Sequence, residues 1–151
     1  MIESAASLRN AVEALLAELA YLLDHGQADQ AVALFTEDAA FVSPLATLRG
    51  RAELTAGFAA RAAQTHVTRH LHSNLRIAAE GADRARATVV LTVYRAEGPG
   101  PGLPRPFLVA DCLDVYERGG DGCWRFAERT IVPIFVARRE APAPAASGAS
   151  A

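Results

Sequence analysis

The 151 residues carry 51% hydrophobic and 21% charged side chains, a globular composition that excludes disorder for the body of the chain and suits one domain around one core. A formal net charge of −2 leaves no electrostatic footprint for nucleic acid or an anionic membrane, so small neutral partners fit better than polyanions. No window holds about 18 unbroken apolar residues, and Met1 to Asn10 lacks the basic and apolar runs of a signal peptide, so a soluble cytoplasmic protein is expected.

From Ser4 to His25 the apolar residues Leu8, Val12, Leu15, Leu16, Leu19, Leu22 and Leu23 recur at helical spacing and predict a long amphipathic helix stopped by Gly26. A second, shorter helix is expected from about Gln27 to Phe35, burying Ala28, Val32 and Phe35, with Thr36, Glu37 and Asp38 supplying turn chemistry after it. Ala39 to Ser43 reads as a short strand broken by Pro44, and Leu45 to Leu48 as a second short strand or a loop. A third helix over Arg51 to Ala63 places Leu54, Phe58 and Ala62 on one face.

Four extended segments follow: Val67 to Ala79, Arg84 to Ala96, Pro106 to Arg118 and Cys123 to Ala137. Glu80-Gly81-Ala82-Asp83, the Pro/Gly run from Gly98 to Pro106, and Gly119-Gly120-Asp121-Gly122 separate them as turns, the long run sitting at a mouth or rim. Helices first and a strand meander afterwards make an α+β fold, three N-terminal helices packed on a curved, mainly antiparallel sheet. The domain is expected over 1–138, and the Ala/Pro-rich tail over 139–151, which lacks the side chains to bury a core, is expected to be disordered. Cys112 and Cys123, eleven apart around a turn, read as two free thiols in a reducing compartment.

Four stretches carry a likeness: Leu22-Leu23-Asp24 through Asp29 to Leu34-Phe35 and Asp38; Leu48 to Leu54; Thr68-Arg69-His70 through Asn74 to Ile77; and Asp114-Val115-Tyr116 through Asp121-Gly122 to Trp124-Arg125-Phe126-Ala127-Glu128-Arg129. Together they resemble the SnoaL-like branch of the nuclear-transport-factor-2-like superfamily, which holds polyketide cyclases, scytalone dehydratase, ketosteroid isomerase and the β subunits of ring-hydroxylating dioxygenases. The resemblance spans roughly residues 8 to 136 and implies an open cone plugged by helices and homodimers packed through the outer sheet face. Because this superfold hosts enzymes and assembly subunits alike, the chemistry has to be argued from side chains.

Asp24 and His70 are the leading catalytic candidates, since an acid beside an imidazole can fix its tautomer and make it a general base or acid near neutral pH. Scytalone dehydratase is similar at both positions. It departs where its second histidine meets Arg95 and where its serine and asparagine fall near Ala110 and Cys112. His72 and Asn74 share the His70 face of a regular strand, with Leu71, Leu75 and Ile77 opposite, an assignment that a bulge would invert. Cys112, Asp114 and Tyr116 form a row on the third long strand, where Asp114 either orients a histidine or pairs with Arg129 or Arg125 across the sheet. Arg95 could grip an anionic or phenolic group if its face looks inward. Tyr21, Phe41, Phe58 and Trp124 read as core or as the wall of a substrate pocket.

A zinc site on His70 and His72 lacks a third ligand at a telling spacing, and no P-loop, dinucleotide fingerprint or nucleophile elbow occurs. The expected function is cofactor-free proton transfer, cyclisation, isomerisation or dehydration, on a small hydrophobic, polyketide-like or aromatic molecule in an apolar pocket. The other reading is a ligand-binding module or assembly subunit like a dioxygenase β subunit.

Overall fold

The computed structural model describes residues 4–98, 101–103 and 105–137. The tail expected over 139–151 lies outside them, as do parts of the Pro/Gly run. Helix α1 spans Ala5–Asp24 and is capped by Ser4, whose hydroxyl accepts the Ser7 N–H at 3.1 Å. Its stripe of Leu8, Val12, Leu16, Leu19 and Leu22 is buried, and each such side chain contributes roughly 1.5–3 kcal/mol of transfer free energy. Gly26 ends it with φ 72°, the left-handed conformation that a residue with a Cβ resists.

The second helix is a tight 3-10 turn over Ala28–Leu34 rather than an α-helix, and it buries Ala28 and Ala31 at the i, i+3 spacing of that geometry. Strand β1 then begins at Phe35 and runs to Val42, four residues ahead of the expected start. Thr36, Glu37 and Asp38 are extended rather than turned. Arg51 holds them there: it reaches Glu37 Oε1 at 2.8 Å and the Phe35 carbonyl at 3.0 Å, and also takes the Val32 carbonyl, so one guanidinium ties the helix that follows to this strand. β2 is Thr47–Arg49 and α2 is Gly50–Ala62, with Leu54 and Phe58 buried.

The long strands are β3 Val67–Ala79, β4 Arg84–Ala96, β5 Leu108–Arg118 and β6 Trp124–Val136. The six form one sheet in the order β2-β1-β6-β5-β4-β3, with β1 and β6 parallel and every other pair antiparallel. The helices cover one face. Under α2 that face is filled solid: the Phe35 ring lies 5.0 Å from Phe126 and 5.4 Å from Phe58, and Tyr116 lies 5.0 Å from Phe126.

Strand β3 carries a bulge, the feature that would invert its face assignment. Pairing shifts by one residue between Ser73 and Arg76, so that Asn74 and Leu75 together oppose Val89, and Asn74 takes φ 55°. The extra residue re-phases the strand. Leu75 and Ile77, expected opposite His70, come back to the helix-covered side and pack on the core. Leu71 stays on the outer face, where the register sets Leu71, Thr92, Val109 and Phe135 in one row across four strands. Among the described residues no helix is long and apolar enough to cross a membrane.

Candidate active site

Two clasps pin α1 to β3, and a hollow lies between them. At the C-terminal end of the helix, Asp24 accepts the His70 ring Nδ1 at 2.6 Å and the His70 backbone N–H at 2.8 Å. Toward the other end, Arg9 pairs with Glu13 at 2.8 Å and donates to the Leu75 carbonyl in the bulge, also at 2.8 Å. Arg9 and Asp24 stand fifteen positions apart on α1, about 22 Å of rise, so the two clasps bracket a molecule-sized length of helix. The cavity is about 640 Å³, within the range of small-molecule sites.

Its lining is Arg9, Glu13, Leu16, Ala17 and Ala20 from α1, His70 to Leu75 apart from Leu71, and Val89. Polar and apolar groups are mixed in it: His70, His72 and Asn74 come from the strand face, and the bulge adds Leu75 beside the aliphatic Leu16, Ala17, Ala20 and Val89.

The acid is built in. The side chain of Asp24 is 5% exposed and that of His70 14%. Thr68 donates its hydroxyl to Asp24 Oδ1 at 2.8 Å, and Arg61 donates to Thr68 Oγ1 at 2.9 Å and to the Leu23 carbonyl at 3.2 Å. Burial alone pushes the Asp24 carboxyl up. The hydrogen bonds from the His70 ring and backbone, the His70 charge and the Thr68 hydroxyl outweigh it and hold the carboxyl below its ordinary value. An ionised Asp24 accepts the Nδ1 proton, leaving Nε2 as the ring nitrogen free to take or give a proton.

Beneath His72 lies a second network. Asp114 is paired with Arg129 through Nε at 2.9 Å and Nη2 at 3.0 Å, and the Tyr116 hydroxyl donates to Asp114 Oδ2 at 2.8 Å. The side chains of Arg129 and Asp114 are 2% and 0% exposed. Of the two partners considered for Asp114, the structure selects Arg129, its directly opposed residue, whose guanidinium also sits 4.9 Å over the Phe126 ring. Arg125 instead pairs with Asp121 at 2.7 Å. The same Nη2 of Arg129, which carries a second N–H, approaches His72 Nε2 at 3.3 Å.

The expected site residues therefore divide. His70, His72 and Asn74 line the cavity, with Asp24 behind His70. Cys112, Asp114 and Tyr116 do not reach it, because their row on β5 is sealed in the core, where burial raises the Cys112 thiol to about 11 and drives the Tyr116 phenol higher still. Phe58 and Phe41 belong to the aromatic core with Phe35, and Trp124 is buried there too. Tyr21 is 51% exposed and stacks on His25, one helical turn onward, because the Leu19 and Leu22 stripe faces the other way. Arg95 does point inward with Val89, Leu91 and Val93, but its guanidinium lies over Phe107 at 5.3 Å and beside Glu97 at 2.7 Å, away from the cavity lining.

The sequence reading missed the helix wall. Arg9, Glu13, Ala17 and Ala20 recur at helical spacing beside the leucine stripe, and that run of small and polar residues is the signal that shows it. Arg61 and Thr68, which brace Asp24, carried no such signal. Cys112 and Cys123 are both free. Among the described residues no three His, Cys, Asp or Glu side chains come together as a metal site.

Comparison with known proteins agrees with this architecture. The structure of a proposed scytalone dehydratase from Novosphingobium aromaticivorans superposes with a TM-score of 0.73 at 22% identity over 85% of each chain. ActVI-ORFA from Streptomyces coelicolor gives 0.72 at 24% identity, covering 83% of this chain and 96% of its own. The β subunit of a proposed aromatic-ring-hydroxylating dioxygenase, also from Novosphingobium aromaticivorans, gives 0.77 at 20% identity, covering 92% and 95%. No curated protein matches in sequence. At these identities the likeness is one of fold. The model of the SnoaL-like domain matches residues 4–130, from the cap of α1 to the middle of β6. Since that span takes in every element framing the cavity, the chain belongs to the SnoaL-like domain family.

Proposed function

We propose that the protein is a proton-transfer enzyme, a cyclase, isomerase or dehydratase, acting on a small hydrophobic molecule of polyketide-like or aromatic type held between α1 and β3. The observation that carries this reading is the 2.6 Å contact between Asp24 and the His70 ring at the cavity wall. His70 moves the proton through Nε2; Asp24 orients the ring and balances its charge when protonated. The reaction draws on no cofactor. A positioned general base contributes about 10²–10⁴-fold, so His70→Ala is expected to lower turnover of a genuine substrate by that factor while the fold persists. Unchanged turnover would remove His70 from the mechanism. Two free cysteines suit a reducing cytoplasm.

The homodimer reading is supported by the outer sheet face, where Leu71, Leu113 and Val132 are exposed beside Phe135 at 68%. A second reading, an assembly subunit, is favoured by the extent of overlap with the dioxygenase β subunit. Co-purification with a larger iron-containing chain supports assembly; a stable dimer with turnover supports the enzyme.

A further inference from the structure

The two cavity histidines are wired in opposite senses. Arginine carries only donors, so the Arg129 Nη2 that lies 3.3 Å from His72 Nε2 requires that nitrogen to accept. A neutral imidazole that accepts at Nε2 carries its proton at Nδ1. No hydrogen bond to a described residue engages His72 Nδ1, and that atom is not sealed from solvent, while the side chain lines the cavity. His70 is the reverse case: Asp24 occupies its Nδ1 and its Nε2 is the free nitrogen.

We infer that His72 is a fixed hydrogen-bond donor through Nδ1–H and recognises the carbonyl oxygen of the substrate, which makes the ligand a ketone or related carbonyl compound with an acidic C–H beside the carbonyl. The inference rests on the proton-transfer reading and narrows it. On one strand face the two side chains start about 6.6 Å apart, a span that an O–C–C unit with a polar contact at each end fills. The step balances: the α C–H bond breaks, its proton goes to His70 Nε2, its electron pair forms the C=C bond, and the carbonyl oxygen becomes an enolate held by His72. The proton on His70 then returns to another carbon, or leaves with an expelled hydroxide as water. The developing negative charge falls on the oxygen that the Nδ1–H binds, so the hydrogen bond strengthens as the reaction proceeds.

The surroundings keep His72 in this role. Arg129 stands behind it on β6 with Asp114 on β5; Asp24 and His70 lie along the same wall; Arg9 and Glu13 face the cavity from α1; β4 offers only Val89 and Leu91. Burial, and then the positive charges of Arg129 and His70, lower the imidazole to about 3, outweighing Asp24. A ring that stays neutral at working pH donates without becoming a rival acid.

The test uses the native protein with 15N-labelled histidine. Long-range 15N–1H spectra are expected to show His72 protonated at Nδ1, bare at Nε2 and untitrated between pH 5 and 8; an Nε2–H tautomer or titration in that range overturns the inference. With 1-tetralone carrying a 13C carbonyl as probe, the carbonyl resonance is expected to move downfield on binding. His72→Phe should abolish the shift and weaken binding about 3–10-fold, the worth of one neutral hydrogen bond. His72→Gln, which keeps a donor, should restore most of both. A shift that survives His72→Phe overturns the inference. His70→Asn is expected to lose turnover yet keep the carbonyl shift. If it keeps turnover as well, the base assignment fails while the donor assignment stands. If 1-tetralone does not bind the native protein, the assignment of a carbonyl ligand is overturned, whatever the tautomer.

Discussion

Asp24 holds His70 with both of its oxygens, one on the ring and one on the backbone N–H of the same residue. The carboxylate therefore fixes where the strand lies as well as which way the imidazole turns. Asp24→Asn keeps the shape but offers only one acceptor, so the ring loses its tautomeric restraint. Turnover is expected to fall about 10²–10⁴-fold, comparable to loss of the base itself. The check is kcat alongside a thermal melt, with stability falling by only about 1–3 kcal/mol.

Thr68 shares the load. Thr68→Val removes one donor to Asp24 and leaves Arg61 with only the Leu23 carbonyl among these partners. With less stabilisation of its ionised form, Asp24 should protonate at higher pH, and the acid limb of the kcat profile should move upward. An unmoved limb would show that Thr68 serves packing alone.

Breaking the buried pair beneath the cavity should be costly. Asp114→Asn leaves the Arg129 charge without its partner in a fully covered site, and a loss of about 3–5 kcal/mol is expected in urea unfolding. Removing both charges together, as Asp114→Leu with Arg129→Met, should cost less than the single change. A double variant as unstable as the sum of its parts would argue against a coupled pair.

His72 also writes a pH dependence. Its folded value, lowered from 6.5 to about 3, means that the unfolded chain binds a proton across this window that the native chain refuses. Stability must therefore fall as pH drops from about 6.5 toward 3, by on the order of 3–5 kcal/mol, with no further loss from this group below that. Asp24, whose value is depressed, adds its own loss only below its ordinary 3.8. Urea melts from pH 7 to 3.5 should show a slope that flattens in His72→Gln.

On the outer face, Phe135→Glu with Leu113→Glu places charge at two of its exposed apolar positions. Light scattering should find wild type dimeric and this variant monomeric, with thermal stability of the monomeric unit little changed. A wild-type monomer at micromolar concentration would end the homodimer proposal.

Much of this was legible before any coordinates. Strands β3 and β4 begin and end where alternation and the Glu80 to Asp83 turn place them, because period-two patterning and turn chemistry agree there. The start of strand β1 is less legible, since Thr36, Glu37 and Asp38 have the composition of a turn while the segment is held by sheet pairing and by Arg51, which reaches it from a helix further on. Cavity membership was the least legible. It depends on a single extra residue at Asn74, which no periodicity reveals, and on a helix face whose role depends on what it stands opposite. Asp24 and His70 were paired through resemblance; 46 residues apart, they meet because the C-terminal end of α1 docks at the start of β3.

The alanines at 17 and 20 have a consequence of their own. They belong to α1, whereas the proton-handling groups sit on β3 and at the helix terminus. Guest size and the proton-moving imidazole are thus inherited on separate segments, and a methyl swapped for an isobutyl at 17 or 20 would reset which guest fits while His70 and, at the far end of the helix, Asp24 stay as they are. A lineage built this way can change diet while keeping its chemistry.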